Sequence, residues 1–352
     1  MAKVDVDELL SLVQGKQIEA LTTIENGAVR AATLAGFTEI DDAVKAATTG
    51  WVQAFGSASA EGEAGSALNA LLRAAQGSVV RGLAGLHEGA VKAMDGAMDE
   101  AMKLALGQTA TLVEGASGAD APKVSPPDPP EAATDDAKAL RGAIDDARKA
   151  ATKQLSPTAV LRLGLRGLLA PLATVRKVLD SAKRMISTNV NRAVDNVQQA
   201  AAEALPDKGG PKLEVWIINR DACVRCAAYA GEIVASGEKF PGGLSWDPKS
   251  REKNAPAVRP PLHPNCRCRL VPWKESWKEP GKVSLPEAAR REAERSIARG
   301  FSLPSESNAS RVRALKELLK TDPKLPKTVL ENARKAASKG EFPKGRSVPT
   351  GE

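Results

Sequence analysis

The 352-residue sequence has little of what large enzyme cores are built from. Aromatic side chains make up only 3% of it, with a single tyrosine, Tyr229. Set against alanine-rich stretches through the first two hundred positions, that scarcity points to thin helical cores rather than a large globular enzyme. A long apolar run is also missing. The best candidate, residues 160–179, carries Arg162, Arg166, Arg176 and Lys177, charges that a hydrocarbon-spanning helix does not tolerate cheaply. The opening residues Met-Ala-Lys-Val-Asp-Val-Asp-Glu-Leu-Leu lack the apolar stretch of a signal peptide, so a cytosolic, reducing compartment is expected. Cysteine is scarce, four residues, and histidine scarcer, two. In a reducing compartment, clustered cysteines point to metal ligation before disulfides.

Charge is present in both signs but unevenly. Positions 1–211 carry a net −4, positions 212–272 a net +4 and positions 273–352 a net +7. The basic character therefore lies in the C-terminal 140 residues, which suits either a solvated helical surface or contact with nucleic acid or an acidic protein face.

The first 115 residues read as helices broken by glycine. In the stretch 79–106, Leu83, Leu86, Ala90, Met94, Ala97, Ala101 and Leu104 recur at steps of three and four, a narrow seam suited to close helix approach within the chain or between copies. His87 beside it reads as a surface histidine. Residues 116–135 are rich in Pro and Ala and too poor in large apolar residues to fold alone. Ser156-Pro157 opens a further helix with Val160, Leu161, Leu165, Leu168, Leu169 and Leu172 on one face. Pro171 is expected to kink or end that helix, and another runs from about Thr174 to Ala204. The period then switches to two: Leu213, Val215 and Ile217 alternate with Glu214, Trp216 and Ile218, the spacing of a strand with both faces partly apolar. A second short strand follows Gly231, and residues 237–262 read as an irregular loop. Three helices close the sequence, the first opened by the capping-box pattern Ser284-Leu-Pro-Glu287 and closed at Gly300, the others near 307–320 and 327–339.

All four cysteines and one of the two histidines fall in two clusters, Cys223-Val-Arg-Cys226 and His263-Pro-Asn-Cys266-Arg-Cys268. A two-residue spacer lets both ends reach one tetrahedral ion through a tight turn, and zinc takes four N or S ligands. His263-Pro-Asn-Cys266 has that spacer too, with Pro-Asn suited to a turn; Cys266-Arg-Cys268 is a shorter chelate. Five candidates thus compete for four places. A redox C-x-x-C would need a thioredoxin-like strand and helix around it. A catalytic zinc would need an open position and a neighbouring acid or base, and nothing places Glu232 or Glu238 at the metal. A closed, structural zinc site is the expectation. Because residues 212–272 are short of large apolar side chains, metal binding is expected to supply much of their folding free energy.

These residues resemble a known family. The run Trp216-Ile-Ile-Asn-Arg-Asp-Ala-Cys223-Val-Arg-Cys226, then Gly231, then Pro260-Pro-Leu-His263-Pro-Asn-Cys266-Arg-Cys268, is similar to the C-terminal motif of MuF-like phage head morphogenesis (minor capsid) proteins. Upstream, Ile186-Ser-Thr-Asn-Val-Asn-Arg-Ala193 is similar to that family's Arg-Thr-Glu-x-Asn-Arg-Ala stretch, with Ser187 and Asn189 in place of its Arg and Glu. The resemblance covers roughly residues 155–273. More loosely, residues 296–307 look like extensions in minor capsid proteins of actinobacterial phages.

The resemblance implies a non-enzymatic virion component, found in the capsid interior and in the host cytoplasm during assembly. It would associate with the portal protein and with other capsid or scaffolding proteins, assist assembly and DNA packaging or delivery, and make no membrane contact. The N-terminal helices offer a route to self-association. An alternative is a zinc-ribbon-type nucleic-acid-binding protein, in which Arg225, Arg267 and Arg269 beside the metal ligands meet phosphate, including that of packaged DNA. The expected fold is mainly α. A helical N-terminal region (1–115) and a linker (116–135) lead to the helical part of a MuF-like domain (136–210). A small α+β zinc-binding module with short strands (211–275) and a basic helical tail (276–352) complete it.

Overall fold

Alanine and leucine dominate the first two hundred positions, and there the chain is almost wholly helical. The structure, a computed structural model, describes residues 5–251, 259–263, 266–277, 283–300 and 306–342. Helix α1 (Val6–Ser11) passes through a π-helical stretch (Leu12–Gln17) into α2 (Ile18–Phe55). Then come α3 (Ser66–Gly82), α4 (Leu86–Ser117), α5 (Ala132–Gln154), α6 (Pro157–Leu163) and α7 (Leu165–Glu203). The remainder holds β1 (Leu213–Ile217), the one-turn α8 (Val224–Ala227), β2 (Ile233–Ala235), a 3-10 turn (Pro248–Ser250), β3 (Arg269–Trp273), α9 (Leu285–Arg299), α10 (Asn308–Lys320) and α11 (Lys327–Lys339). The mainly helical class with a small sheet is as expected. Among the described residues, no single helix is long and apolar enough to cross a membrane.

The chain divides into two compact units, neither continuous in sequence. A helical unit takes residues 24–99 and 129–190; a mixed unit takes 1–23, 100–128 and 191–352. The sequential boundaries expected from composition do not coincide with these, because α2, α4 and α7 carry residues of both units and no break in pattern marks the change.

In the helical unit the 79–106 seam is interrupted: α3 ends at Gly82, and Gly85, at φ +63°, turns the chain into α4. Leu83, Leu86, Ala90, Met94 and Ala97 of the seam are nonetheless covered within the chain, all at 5% exposure or less, while its last members, buried Ala101 and half-buried Leu104, belong to the mixed unit. The next expected break is also displaced. Pro171 lies inside α7, and the helix ends instead at Gly164, whose φ of +61° an L-residue avoids. Ser156 caps α6 as its sequence suggests, accepting from the Ala159 N–H at 3.4 Å. At Gly36 of α2, a methyl group would stand 2.8 Å from the Gly82 carbonyl oxygen of α3 and 2.6 Å from Leu179 of α7, so glycine there permits three helices to meet. Ser187 and Asn189 are fully buried: Ser187 hydrogen-bonds to Glu25, and Asn189 donates to Asp136 at 2.9 Å.

In the mixed unit the strands pair antiparallel in the order β2-β1-β3, with Val215 opposite Val271 and Trp216 opposite Leu270. Period-two alternation divides β1 between two cores. Leu213, Val215 and Ile217 join Val6, Leu10, Val13 of the N-terminal segment and Leu285 of α9. Trp216 and Leu270 face the other way, into a core with Tyr229, Phe240, Cys226, Cys266 and Cys268. That second core also takes Ile297 of α9, Leu315 and Leu318 of α10, Ala333 and Ala336 of α11, and Phe342. The C-terminal helices are therefore not an appended tail. At roughly 1.5–3 kcal/mol for each large apolar side chain fully buried, Ile297, Leu315, Leu318 and Phe342 contribute stabilisation approaching that of a structural zinc ion, on the order of 10 kcal/mol. Residues 212–272 are thus short of a core of their own, as expected, and that core is completed from 285–342.

Gly231 lies against the first turn of α9. Its φ is +74°, and a methyl group there would lie 2.1 Å from the Pro286 carbonyl oxygen. Lys274, just past β3 and 1% exposed, donates to the carbonyls of Pro206, Lys208 and Gly210, the last two at 3.1 Å, and so pins the turn that feeds β1.

Candidate metal centre

The two Cys/His clusters are brought together by the sheet. β1 delivers the chain to Cys223, whose Sγ accepts from the Cys226 N–H at 3.4 Å as α8 begins, a turn that aims both sulfurs to one side. The returning segment places Cys266 and Cys268 immediately before β3. The Cys266 N–H donates to the His263 carbonyl at 3.1 Å, closing the expected turn; its central residues Pro264 and Asn265 lie outside the described residues, as do 252–258 of the long loop and 301–305 of the C-terminal motif.

All five candidate ligands converge. Cys223, Cys226 and His263 present ligand atoms within 4.8 Å of one another, and so do Cys226, Cys266 and Cys268. His263 Nε2 lies 3.3 Å from Cys223 Sγ and 3.2 Å from Cys226 Sγ, and the Cys226 and Cys266 sulfurs are 3.7 Å apart. A tetrahedron with zinc–sulfur bonds of about 2.3 Å has edges of about 3.8 Å, so these spacings fit a shared ion. A disulfide would need about 2.05 Å, and all four cysteines are free thiols. The space they enclose is about 10 Å³, lined also by Asn219, Asp221, Ala222 and Arg267. It is the size of an ion or a water and leaves no room for an organic substrate.

The thiols share charge unequally. A hydrogen bond from Cys226, aided by His263, draws Cys223 down to about 5. Cys226 is held well above the ordinary thiol range because it donates to Cys223 and Cys266. Cys266 is pulled well below that range by the Cys226 and Cys268 donors, and burial pushes Cys268 up. Four crowded sulfurs cannot all ionise unaided. A divalent cation removes that conflict, because it binds thiolates and releases their protons.

A polar shell that sequence reasoning did not single out fixes this geometry. Val224 N–H donates to Glu306 at 2.9 Å, and Ser296 donates to the Arg220 carbonyl at 2.6 Å, so the C-terminal helices hold the first cluster directly. Arg259 tethers the segment leading to His263 through a two-pronged contact with buried Glu214, 2.8 and 2.9 Å, and a 3.3 Å bond to Asp195. Burial holds the Asp195 carboxyl up at about 7 against the pull of Arg259. Asp247, 1% exposed, takes a forked pair from Arg313 of α10 at 2.7 and 2.8 Å, and that guanidinium holds its carboxyl down at about 2. The strand β3 is registered on α7 by Arg269 to Asn191, 2.7 Å, and by Leu270 N–H to Gln198, 3.1 Å. Asn191 belongs to the motif helix, and that was the one advance signal of this shell.

Of the three arginines considered for phosphate contact, Arg269 is 4% exposed and committed to Asn191 and the Cys268 carbonyl, so it presents nothing to a surface. Arg225 and Arg267 are half-buried. His87, expected at the surface, is half-buried beside a cavity of about 440 Å³ in the helical unit, lined among others by Met94, Met98 and Arg141. No protein-family model, curated protein or solved structure matches the chain.

Proposed function

We propose that the chain is a non-enzymatic assembly protein of a tailed-phage head, portal-associated and of the MuF-like minor capsid type, whose C-terminal half is stapled by one structural zinc ion. The carrying observation is the convergence of Cys223, Cys226, His263, Cys266 and Cys268 on one ion-sized space, within the stretch whose motif resembles that family. A closed site with no room for substrate favours a scaffold role over catalysis. Its shell of Glu306, Ser296 and Arg259 joins elements far apart in sequence, which suits a part that must hold its shape in a crowded particle. The test is co-sedimentation of the full chain with the dodecameric portal encoded in the same genome, with zinc measured on the same fractions. Association at a fixed ratio with zinc present supports the reading; no association under assembly conditions overturns it.

A second reading, contact with packaged nucleic acid, draws support from a different place than the zinc-flanking arginines. Lys316, Lys324, Lys327, Arg334, Lys335 and Lys339 are exposed on and between α10 and α11. A steep fall of DNA affinity with salt, flattened by replacing these side chains, would support it; no binding at low salt would remove it.

A further inference from the structure

We propose that Arg259, Glu214 and Asp195 form an acid-tightened clasp on the segment that carries His263: a proton on Asp195 closes the clasp, and its loss loosens it. The clasp is a property of the mixed unit itself; only its effect on the metal rests on the structural-zinc reading above.

Three elements meet at one guanidinium. Arg259 lies in the segment leading to His263, Glu214 in β1 and Asp195 in α7. Glu214, fully buried, has the first claim. Its two oxygens take the forked pair from Arg259 at 2.8 and 2.9 Å, and one of them also accepts from the Gly237 N–H at 3.2 Å. Asp195, 8% exposed, is left with the third nitrogen, Nε, at 3.3 Å through its Oδ2. Its other oxygen, Oδ1, is buried with no hydrogen-bond partner among the described residues. The remaining charged neighbour, Arg269, also favours an ionised Asp195, but less than Arg259 does, its guanidinium being bonded to Asn191 and the Cys268 carbonyl.

The second carboxyl on this arginine is therefore left short. Ionised, Asp195 is a buried charge with one idle oxygen, and it repels Glu214 across the shared guanidinium. A proton on Oδ1 removes both penalties and leaves Oδ2 to accept from Arg259. Burial accordingly holds the carboxyl up at about 7, against an unfolded-state value near 3.8. The stability this proton contributes is fully present below about 3.8 and is lost as pH rises through about 7. Once the proton has left, relief comes from letting water reach Oδ1. Helix α7 and strand β1 are held by their own backbone ladders, so the irregular segment around Arg259 is the part that gives way, and His263 moves with it.

Peptide-resolved hydrogen exchange on the full chain, wild type beside Asp195→Asn, tests this from pH 5 to pH 8. The variant is a neutral isostere of the closed state. Protection of the peptides containing Glu214 and His263, taken as the ratio of variant to wild type, should rise by about tenfold per pH unit between pH 5 and pH 7, the effect of one proton, and level off above that. A ratio that is flat with pH, or a wild type better protected than the variant at pH 8, would overturn the clasp. In the wild type alone, infrared difference spectra should show a protonated carboxyl band that fades between pH 6 and pH 8, and its absence would also overturn it. Zinc transfer to EDTA at pH 8 should be about tenfold faster from wild type than from the variant, the scale on which supporting contacts act; equal rates would overturn the link to the metal. A chain that takes up no zinc would sink the zinc reading and leave the protection ratio to decide the clasp.

Discussion

The helical unit and the mixed unit solve the same problem, fixing elements that come from distant parts of the sequence, with different chemistry. In the helical unit small residues do it: Gly36 lets α2 approach the Gly82 carbonyl and Leu179, and alanines such as Ala90 and Ala97 keep the seam narrow. In the mixed unit the sheet is short, and position is set by directed groups. The Cys/His cluster, the Arg259–Glu214 fork, the Arg313–Asp247 fork and the Lys274 ammonium each tie two or more segments. Small-residue packing tolerates loss of any one polar contact but not added volume. A network of directed groups fails when one node is removed, since the partners are left buried and unpaired.

Removing a metal ligand should separate the units most. Cys226→Ser is expected to abolish zinc binding and destabilise the mixed unit by on the order of 5 kcal/mol, part of the free energy of a structural zinc site. The helical unit should be little changed; hydrogen exchange resolved by peptide reads both, and equal loss of protection across them would break the contrast. Gly231→Ala comes next. The positive φ and the Pro286 carbonyl at 2.1 Å leave no room for the methyl, so a loss of about 3 kcal/mol is expected in the mixed unit even with zinc bound, from thermal melts at saturating metal. In the helical unit, Gly36→Ala should cost about 2 kcal/mol with zinc affinity unaltered, because it acts through volume alone. A change in zinc affinity in that variant would show the contrast to be false.

The smallest effect is electrostatic. The Asp247 carboxyl is depressed to about 2 by Arg313, so its contribution is fully present above the unfolded-state value near 3.8 and is lost as pH falls through about 2. Asp247→Asn should remove that acid-limb dependence, with a cost of about 2 kcal/mol at pH 7 from the lost charged hydrogen bonds. Urea unfolding at pH 7 and pH 2.5 measures both; an unchanged slope in the variant would argue against the fork.

Much of this was legible in the sequence because the signals are local. The period-two run Leu213–Ile217, the caps at Ser156 and Gly300, and the segregation of every cysteine into two clusters each depend on neighbours a few residues apart. What could not be read is what depends on partners far along the chain. Pro171 looks like a helix breaker, yet α7 runs through it and Gly164 takes the break. Residues 285–342 look like a tail until Ile297, Leu315 and Leu318 are seen completing the core around Cys226. Arg269 looks like a phosphate ligand until Asn191, 78 residues away, is found holding it. Five ligands for four places was the limit of spacing alone; that all five line one space depends on the fold.

The most direct test of the central claim is the zinc content of the full-length chain purified without added metal, followed by limited proteolysis before and after chelation. One zinc ion per chain is expected, with chelation exposing the Cys/His segments and α9–α11 to cleavage while residues 24–99 stay protected. A chain that carries no zinc, and whose cleavage pattern is the same with and without chelator, would contradict it.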